Sequence, residues 1–361
     1  MSRLFTPFTL RGVTLRNRIG MSPMCQYSCE ARDGVVTDWH LHHAASRAVG
    51  GVGLIVVEAT AVEARGRISP QDLGLWDDSQ VAPMTRLANT IRENGAVPGV
   101  QIAHAGRKAS TFRPWQGGGP LHDVDGAWPI VAPSALPFGE GSQTPSALSA
   151  EEIAGTLDAF AQAAQRADAA GFEWLELHGA HGYLLHSFLS PIANQRTDAY
   201  GGDFEGRTRF MREVVTAVRA VWSERKPLTV RFSCTDWLDA DGWQITDSVA
   251  LATQLATLGV DLIDCSSGGI RPGVRVPVGP GYQVPFAEAI RHRSGLPTAA
   301  VGLIHDARHA ETILAEGRAD LIYLGRPLLR DPYWALHAAA ELDGRAGPLM
   351  PPQYRWTLER D

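Results

Sequence analysis

Eight short apolar runs recur along the chain, and each is followed by a turn and an amphipathic stretch. The runs are rich in Val, Ile and Leu and do not alternate with polar residues, which is typical of strands buried on both faces of a parallel sheet. They cover Arg18–Pro23, Gly53–Glu58, Val97–His104, Trp174–His178, Leu228–Ser233, Leu262–Ser267, Thr298–Gly302 and Leu321–Arg326. Eight strand–helix units in series predict an α/β fold of the (β/α)8 TIM barrel type.

An open, doubly wound sheet is the competing architecture. Such a sheet usually binds a dinucleotide through a G-x-G-x-x-G fingerprint after a strand, and the sequence contains neither this fingerprint nor a P-loop. Barrels of this kind commonly exceed 250 residues as one unit. We therefore expect a single barrel domain over residues 1–361.

The barrel pattern is preceded by a hairpin and interrupted by one long loop. Phe8–Leu10 and Val13–Leu15 flank the turn signal Arg11-Gly12, which predicts an N-terminal β-hairpin that plugs the bottom of the barrel. Residues 105–147, after strand 3 of the barrel, are rich in Gly and Pro and too long for a simple connection. A loop of this length in a compact domain is usually functional, often as a lid, and a variable surface excursion is the alternative.

Local signals mark the ends of two of the helices between the strands. Ser149 and Glu152 have the spacing of a capping box, which predicts that a helix begins there. Asp306 predicts the start of a helix over Ala307–Glu316, and Gly317 predicts its end.

Charge and composition argue against several classes of protein. The formal net charge is −6, so no basic face for a nucleic acid is expected. The first residues lack the apolar core of a signal peptide, and no run approaches the roughly 18 apolar residues of a membrane span. We therefore expect a cytoplasmic protein with no membrane partner. The four cysteines, including Cys25 and Cys29, are too few for a disulfide scaffold and lack the spacing of a zinc site, so we expect reduced thiols, one of them functional.

Polar side chains collect where the predicted strands end, which is where barrels of this kind carry their active sites. His178 ends the fourth run, and His181 follows it across two small residues. Two neutral imidazoles at this place would each donate an N–H to one oxygen atom, a clamp that stabilises a carbonyl as it gains negative charge. A zinc site that also uses His104 and a merely polar rim are the alternatives.

Other candidates follow neighbouring strands. Tyr183 lies two residues after His181 and could reach the same space. Its ordinary pKa of about 10 makes it a competent proton donor at neutral pH. A packing role is the alternative. Arg231 stands in an apolar run, where it either pairs with an acidic residue or faces an anionic ligand. Gly302 and Gly325-Arg326 follow the last two strands, the usual phosphate cradle of these barrels.

Several long motifs occur in a fixed order along the chain. They are His178-Gly-Ala-His-Gly-Tyr-Leu, Phe188-Leu-Ser-Pro, Asn194-x-Arg196-x-Asp198-x-Tyr200-Gly-Gly and Arg207-x-Arg209-Phe210. Further motifs are Leu15-Arg-Asn-Arg-Ile19, Ser22-Pro-Met-Cys-Gln-Tyr27, Gln101-Ile-Ala-His-Ala-Gly-Arg-Lys108 and the final Trp356. Together they cover nearly the whole chain. The chain resembles the Old Yellow Enzyme family of FMN-dependent ene-reductases, and in particular its bacterial thermophilic-like, xenobiotic reductase A-like class.

The resemblance implies a cofactor site for FMN. The residues that would contact FMN are Ser22, Pro23, Met24, Cys25, Ala59, Gln101, His178, Arg231, Gly302, Gly325 and Arg326. Within this set, the Cys25 thiol would lie near the reactive edge of the flavin. Gln101 and Arg231 would hold the pyrimidine side, and the residues after the last two strands would hold the phosphate.

The resemblance also implies a substrate site and a reaction. NADPH or NADH would reduce the flavin, which would then reduce an α,β-unsaturated carbonyl or nitro compound. His178 and His181 would bind the substrate oxygen, and Tyr183 would protonate the α-carbon. The residues that would border the substrate are Tyr27 and Lys108, together with Trp356 from a neighbouring subunit of a homodimer or homotetramer.

One position departs from the pattern. Related xenobiotic reductases carry a Trp that faces the substrate on the seventh strand, where this sequence has Ala300 and Val301, so the pocket would be wider on that side. A dienoyl-CoA reductase-like enzyme would need additional cysteines and a further domain that the sequence lacks. A barrel that only stores or senses FMN is the non-enzyme alternative, against which the His pair and Tyr183 argue.

Overall fold

Strands and helices alternate along the part of the chain that the structure, a computed structural model, describes, which is residues 2–344 and 346–359. The strands are β1 (Phe8–Leu10), β2 (Val13–Leu15), β3 (Ile19–Met21), β4 (Leu54–Ala61), β5 (Val97–Ala103), β6 (Val131–Ala132), β7 (Ser146–Ala147), β8 (Trp174–Gly179), β9 (Leu228–Ser233), β10 (Leu262–Ser266), β11 (Thr298–Ala300) and β12 (Leu321–Leu324). All strands except β1, β2, β6 and β7 form one closed parallel barrel in chain order. The predicted TIM barrel is confirmed, because each barrel strand lies in or extends one of the predicted apolar runs.

Helices follow the barrel strands, and the last three of them come after β12. They are α1 (Asp38–Val49), α2 (Val81–Glu93), α3 (Ala150–Ala169), α4 (Leu184–Leu189), α5 (Phe204–Val221), α6 (Ile245–Thr257), α7 (Val284–Ser294), α8 (Ala307–Ala315), α9 (Arg326–Arg330), α10 (Trp334–Asp343) and α11 (Pro352–Arg355). None of these described helices has the length and apolar character needed to cross a membrane.

The two predicted helix starts are confirmed. At the start of α3, Ser149 Oγ accepts the Glu152 N–H at 3.2 Å, and Glu152 Oε2 accepts the Ser149 N–H at 2.9 Å, which completes the capping box. At the start of α8, Asp306 Oδ1 accepts the His309 N–H at 2.8 Å. Gly317 follows that helix with a φ of +71°, a conformation that glycine adopts without strain.

The N-terminal hairpin closes the bottom of the barrel, as predicted. β1 and β2 are antiparallel, with Phe8 opposite Leu15. Leu15 packs against Trp174 and Leu262, the first inward side chains of two barrel strands, so the hairpin buries apolar surface under the barrel. An ion pair fixes the turn of the hairpin to the barrel: Arg11 Nε lies 2.6 Å from Oδ1 of Asp261, the residue just before β10.

Alternate side chains of the barrel strands point into the barrel, while those between them pack against the helices. The inward residues, in order from the bottom, are Trp174, Glu176 and His178 on β8 and Leu262, Asp264 and Ser266 on β10. The interior is therefore apolar at the bottom, ionisable in the middle and polar at the mouth.

The long loop between β5 and α3 lies against this mouth. It contains the short paired strands β6 and β7 and three single turns of 3-10 helix. Its residues line a cavity of about 580 Å³, which Tyr27 and Tyr183 also line. The predicted long loop is confirmed, and its action as a lid stays a prediction.

Candidate active site

His178 and His181 meet at the mouth of the barrel. Their ring centroids are 5.2 Å apart and the rings are nearly perpendicular, at 85°. His178 is the last inward residue of β8, and His181 is brought back beside it by the turn that follows this strand. The structure therefore brings together the two imidazoles that the sequence singled out.

Both imidazoles are neutral at physiological pH. Burial, and then the nearby Arg231 guanidinium, hold the pKa of each ring well below its usual range. His178 Nδ1 accepts the backbone N–H of Ala180 at 3.3 Å, so the single ring proton of His178 is on Nε2. His178 is thus a neutral donor of one N–H.

Two serines fix the orientation of His181, and sequence reasoning missed both. The backbone N–H of His181 donates to Ser233 Oγ at 2.8 Å, which supports the backbone φ of +60° at His181. His181 Nε2 lies 2.6 Å from Ser266 Oγ. When the Ser266 hydroxyl donates this bond, the ring proton of His181 is on Nδ1. The inward position of both serines at the last register of β9 and β10 is the signal that could have identified them.

The Tyr183 ring packs edge-on against His178, with the ring centroids 4.9 Å apart. Burial, and then the neighbouring Cys25, raise the pKa of the Tyr183 phenol above its usual value. Tyr183 therefore keeps its proton at neutral pH, as a general acid must.

Cys25 and Tyr27 lie on the segment that follows β3. Burial raises the pKa of the Cys25 thiol well above its usual range, and the carboxyls of Asp72 and Glu58 act in the same direction, so Cys25 is a neutral thiol. Its thiol contacts the Ala59 backbone and the Tyr27 side chain. Glu58 holds this segment in place, because its Oε2 accepts the backbone N–H of Gln26 at 2.7 Å.

Gln101 and Arg231 are each anchored by a buried acid on the neighbouring strand. Gln101 Nε2 donates to Glu176 Oε1 at 2.8 Å, and Arg231 Nε lies 2.9 Å from Asp264 Oδ2. The first of the two alternatives for Arg231, an acidic core partner, is confirmed. Sequence reasoning missed Glu176 and Asp264, although each is an isolated acid in an apolar run, the same signal that identified Arg231.

Glycines and one glutamine shape the mouth at the ends of β11 and β12. Gly302 has a φ of +123°, and a Cβ on it would lie 2.9 Å from Gln283 Nε2. Gln283 Oε1 in turn accepts the Ser267 hydroxyl at 2.6 Å. Gly325 precedes α9, and the exposed Arg326 is the first residue of that helix. The structure thus brings Gly302 beside Gln283, which the sequence did not single out.

The remaining predicted residues occupy different places. Ser22 is buried at the end of β3, where its N–H donates to the Leu324 carbonyl at 3.1 Å, and Met24 packs beside Gly325. Lys108 lines the cavity near Tyr183. Trp356 is 50% exposed on a C-terminal turn and is not among the described residues that line the cavity.

A fully buried His–Asp hydrogen bond supports the turn between His181 and Tyr183, and sequence reasoning missed it. His186 Nδ1 accepts the Gly182 N–H at 2.8 Å, and His186 Nε2 lies 3.0 Å from Asp236 Oδ1. Asp236 Oδ2 also accepts the Ser190 hydroxyl at 2.6 Å. Burial alone would raise the pKa of Asp236, but His186 and the hydrogen bonds outweigh burial and lower it.

His104 is not placed to be the third ligand that the metal-dependent alternative requires. His104 turns away from the His pair, with its Nδ1 accepting the Gly106 N–H at 3.0 Å and its Nε2 3.8 Å from Glu63 Oε2. Within residues 2–344 and 346–359, no group of three His, Cys, Asp or Glu side chains is placed to hold a metal ion.

The mouth suits a flat, uncharged ring system with a phosphate tail. A neutral thiol, an amide and a guanidinium surround it from Cys25, Gln101 and Arg231. Gly302 lets Gln283 approach the backbone at the end of β11 more closely than a residue with a Cβ would allow. These donors match the oxygen and nitrogen edges of an isoalloxazine.

Comparison with known proteins identifies the family of the chain. The sequence profile of the NADH:flavin oxidoreductase / NADH oxidase family matches residues 3–344. The NADPH dehydrogenase of Geobacillus sp. (strain WCH70) is 51% identical over 339 residues, which are 94% of each chain. The NADPH dehydrogenase of Bacillus subtilis (strain 168) is 49% identical over 341 residues, 94% of this chain and 95% of that protein.

Solved structures give the same result. Morphinone reductase has a TM-score of 0.77 at 28% identity and covers 94% of this chain and 90% of its own. The old yellow enzyme homologue from Zymomonas mobilis has a TM-score of 0.78 at 26% identity, over 94% of this chain and 93% of its own.

Fold and mouth together define a class of protein, the flavin-dependent oxidoreductases built on a (β/α)8 barrel. The chain belongs to the NADH:flavin oxidoreductase / NADH oxidase family, and its structural neighbours are old yellow enzyme relatives. FMN is therefore its cofactor, and a reduced nicotinamide is its electron donor. The family, the fold and the cofactor predicted from the sequence are confirmed.

Proposed function

We propose that this enzyme reduces activated carbon–carbon double bonds of α,β-unsaturated carbonyl or nitro compounds. The observation that carries the proposal is the neutral His178–His181 pair at the barrel mouth, with the protonated Tyr183 phenol packed against it. Two neutral N–H donors stabilise an oxygen that gains charge, and a neighbouring acid supplies the proton that the reduced product needs.

The residues proposed to hold FMN follow several different barrel strands. Bound FMN supplies the hydride chemistry of both half-reactions. The residues that would contact it are Ser22, Pro23, Met24, Cys25, Ala59, Gln101, His178, Arg231, Gly302, Gly325 and Arg326. The Asp264–Arg231 and Glu176–Gln101 pairs would orient the donors on the pyrimidine side.

In the reaction, each side chain would act on a defined atom of the substrate. His178 would donate from Nε2, and His181 from Nδ1, to the carbonyl or nitro oxygen. Tyr183 would hold its proton towards the α-carbon. Tyr27 and Lys108 would border the substrate, because both line the cavity beside Tyr183.

We further propose that NADPH is the physiological electron donor, since the relatives compared above are named NADPH dehydrogenases. NADPH and the alkene would use the same space in turn. Trp356 would complete the site of a neighbouring subunit in a homodimer or homotetramer, and its 50% exposure leaves surface available for such a contact.

Purified protein tests the proposal directly. It is expected to be yellow, or to become yellow on reconstitution with FMN, to lose the flavin absorbance band on addition of NADPH, and to regain it on addition of cyclohexenone. A colourless protein that does not bind FMN would contradict the site. Bleaching by NADPH without recovery on enone addition would contradict the proposed substrate class.

Replacing Tyr183 by Phe is expected to slow alkene reduction by about 10²–10⁴-fold, the usual contribution of a general acid. The step in which NADPH reduces the flavin needs no such proton, so it should slow much less. Stopped-flow measurement of the two half-reactions separates the effects. Equal slowing of both would remove Tyr183 from the role of proton donor.

A further inference from the structure

Two cations, Arg107 and Lys108, lie side by side in the cavity wall. Arg107 is buried and Lys108 is half-buried, and both line the cavity of about 580 Å³. Among the described residues, neither side chain forms an ion pair with Asp or Glu. Buried cations are normally paired, so this placement needs an explanation.

Backbone carbonyls satisfy part of the hydrogen-bonding capacity of Lys108. Its Nζ donates to the His181 carbonyl at 2.8 Å and to the Gly269 carbonyl at 3.3 Å. The ammonium also lies 4.4 Å from the centroid of the Phe138 ring and 5.0 Å from that of Tyr183. An ammonium group has three N–H donors, so one donor remains for a ligand.

Arg107 adds charge behind Lys108 without neutralising it. Its guanidinium donates to the carbonyls of Ile270, Leu136 and Pro137. Among the described residues that line the cavity, Glu140 is the single acid, and it is exposed on the long loop. The buried Asp236 carboxylate partly compensates the charge of Arg107, whereas no described acidic side chain acts on Lys108 in this way. The charge of Lys108 therefore gives the inner part of the cavity a positive potential.

The chain's other lysine shows the contrast. Lys226 Nζ lies 2.7 Å from Asp168 Oδ1, so its charge is compensated within the protein. The sequence contains these two lysines and no others. Lys108, whose charge is not compensated by an ion pair, is the lysine beside His178 and His181.

We propose that Lys108, with Arg107 behind it, forms a subsite for an anionic oxygen group of the ligand. Resting on the proposed function, this assigns a substrate class: activated alkenes that also carry a carboxylate. A phosphate group of NADPH presents the same chemistry. The Tyr183 ring centroid lies 4.9 Å from the His178 ring centroid and 5.0 Å from Lys108 Nζ, so the imidazole and the ammonium are at most about 10 Å apart, which a ligand about one ring long spans.

Paired ligands that differ only in charge test the subsite. 4-Hydroxybenzoate and its methyl ester both offer a phenol oxygen to His178 and His181, and only the acid offers an anion to Lys108. Their Kd values are measured by calorimetry on the FMN-loaded wild type, Lys108→Met and the matched control Lys226→Met. The ratio of ester Kd to acid Kd is expected to fall about tenfold or more in Lys108→Met and to stay unchanged in Lys226→Met, since a hydrogen bond to a charged group is worth about that much.

The ester separates a structural role from the subsite. If Lys108→Met weakens both ligands equally, Lys108 only supports the His181 carbonyl, and the proposal is overturned. An unchanged ratio overturns it as well. Turnover of cyclohexenone by the same wild-type preparation tests the proposed function independently, because binding of the acid requires no reaction.

A second arm identifies the source of the anion. The ratio of the KM values for NADH and NADPH is measured in wild type and in Lys108→Met. A fall in this ratio together with the acid preference shows that the subsite also receives the extra phosphate of NADPH. A fall in the acid preference alone assigns the subsite to substrate carboxylates.

Discussion

Replacing His178 and His181 together by Ala is expected to abolish measurable binding of phenol ligands and to lower kcat for enone reduction by at least about 10²-fold. The loss of one preorganised donor to a developing oxyanion alone costs about 10²–10³-fold in kcat. Both donors are neutral, His178 is buried and His181 is half-buried, so water does not fully replace them. The perturbation of the flavin spectrum by a phenol measures binding, and stopped-flow kinetics measure the reaction.

The same variant should still bind FMN, because most residues proposed to contact it are unchanged. Ser266→Ala is the graded control: it removes the partner 2.6 Å from His181 Nε2 and leaves both imidazoles in place. We expect Ser266→Ala to weaken phenol binding less than the double variant does. Phenol affinity that survives the loss of both histidines would show that the substrate oxygen binds elsewhere.

Much of the fold could be read from the sequence because burial on both faces leaves a strong signal. The barrel strands sit inside helices and around a filled interior, so their runs are apolar without alternation. His178 was found because it ends such a run, and a strand end fixes a side chain's position at the mouth. Local rules also sufficed for the capping box at Ser149, the cap at Asp306 and the hairpin, whose partners lie close in sequence.

What could not be predicted depends on partners that are distant along the chain. The Ser266–His181 contact joins residues 85 positions apart, and the Arg231–Asp264 pair depends on the register of β9 against β10. An isolated acid in an apolar run predicts a partner, but not which strand supplies it. The direction of the Lys108 side chain depends on the path of the long loop, which has no periodicity to read.

The structure shows which of Ala300 and Val301 faces the inside of the barrel. Ala299 and Val301 pack with the inward-facing cluster, and Ala300 packs with the helix layer. Of the two residues that could stand in place of the tryptophan of xenobiotic reductases, Val301 is therefore the inward one. The sequence alone left the choice open because β11 has only three residues, Thr298–Ala300, and no clear alternation.

Replacing Asp236 by Ala is expected to lower the free energy of unfolding by about 3–5 kcal/mol, because several buried donors lose a charged acceptor and one such hydrogen bond alone contributes about 1.5–3 kcal/mol. The variant removes the carboxylate that three donors share. They are His186 Nε2, the Ser190 hydroxyl and the backbone N–H of Trp243. Ser190→Ala is the matched control and should cost about 1.5–3 kcal/mol at most, since it removes one hydrogen bond to the same charge. Denaturant unfolding of both variants at saturating FMN measures the difference.

The pH dependence of this loss gives a second check on Asp236. Because the folded-state pKa of Asp236 is lowered, its contribution to stability is fully present above the unfolded pKa of about 3.9 and disappears as the pH falls through the lower folded value. The stability difference between wild type and Asp236→Ala should therefore be constant near neutral pH and shrink only below roughly pH 4. A difference that shrinks already between pH 7 and pH 5 would show that another group, and not the Asp236 carboxylate, supplies the stability. Because His186 accepts the Gly182 N–H between His181 and Tyr183, the variant should also weaken phenol binding, which links the stability of this pair to the geometry of the clamp.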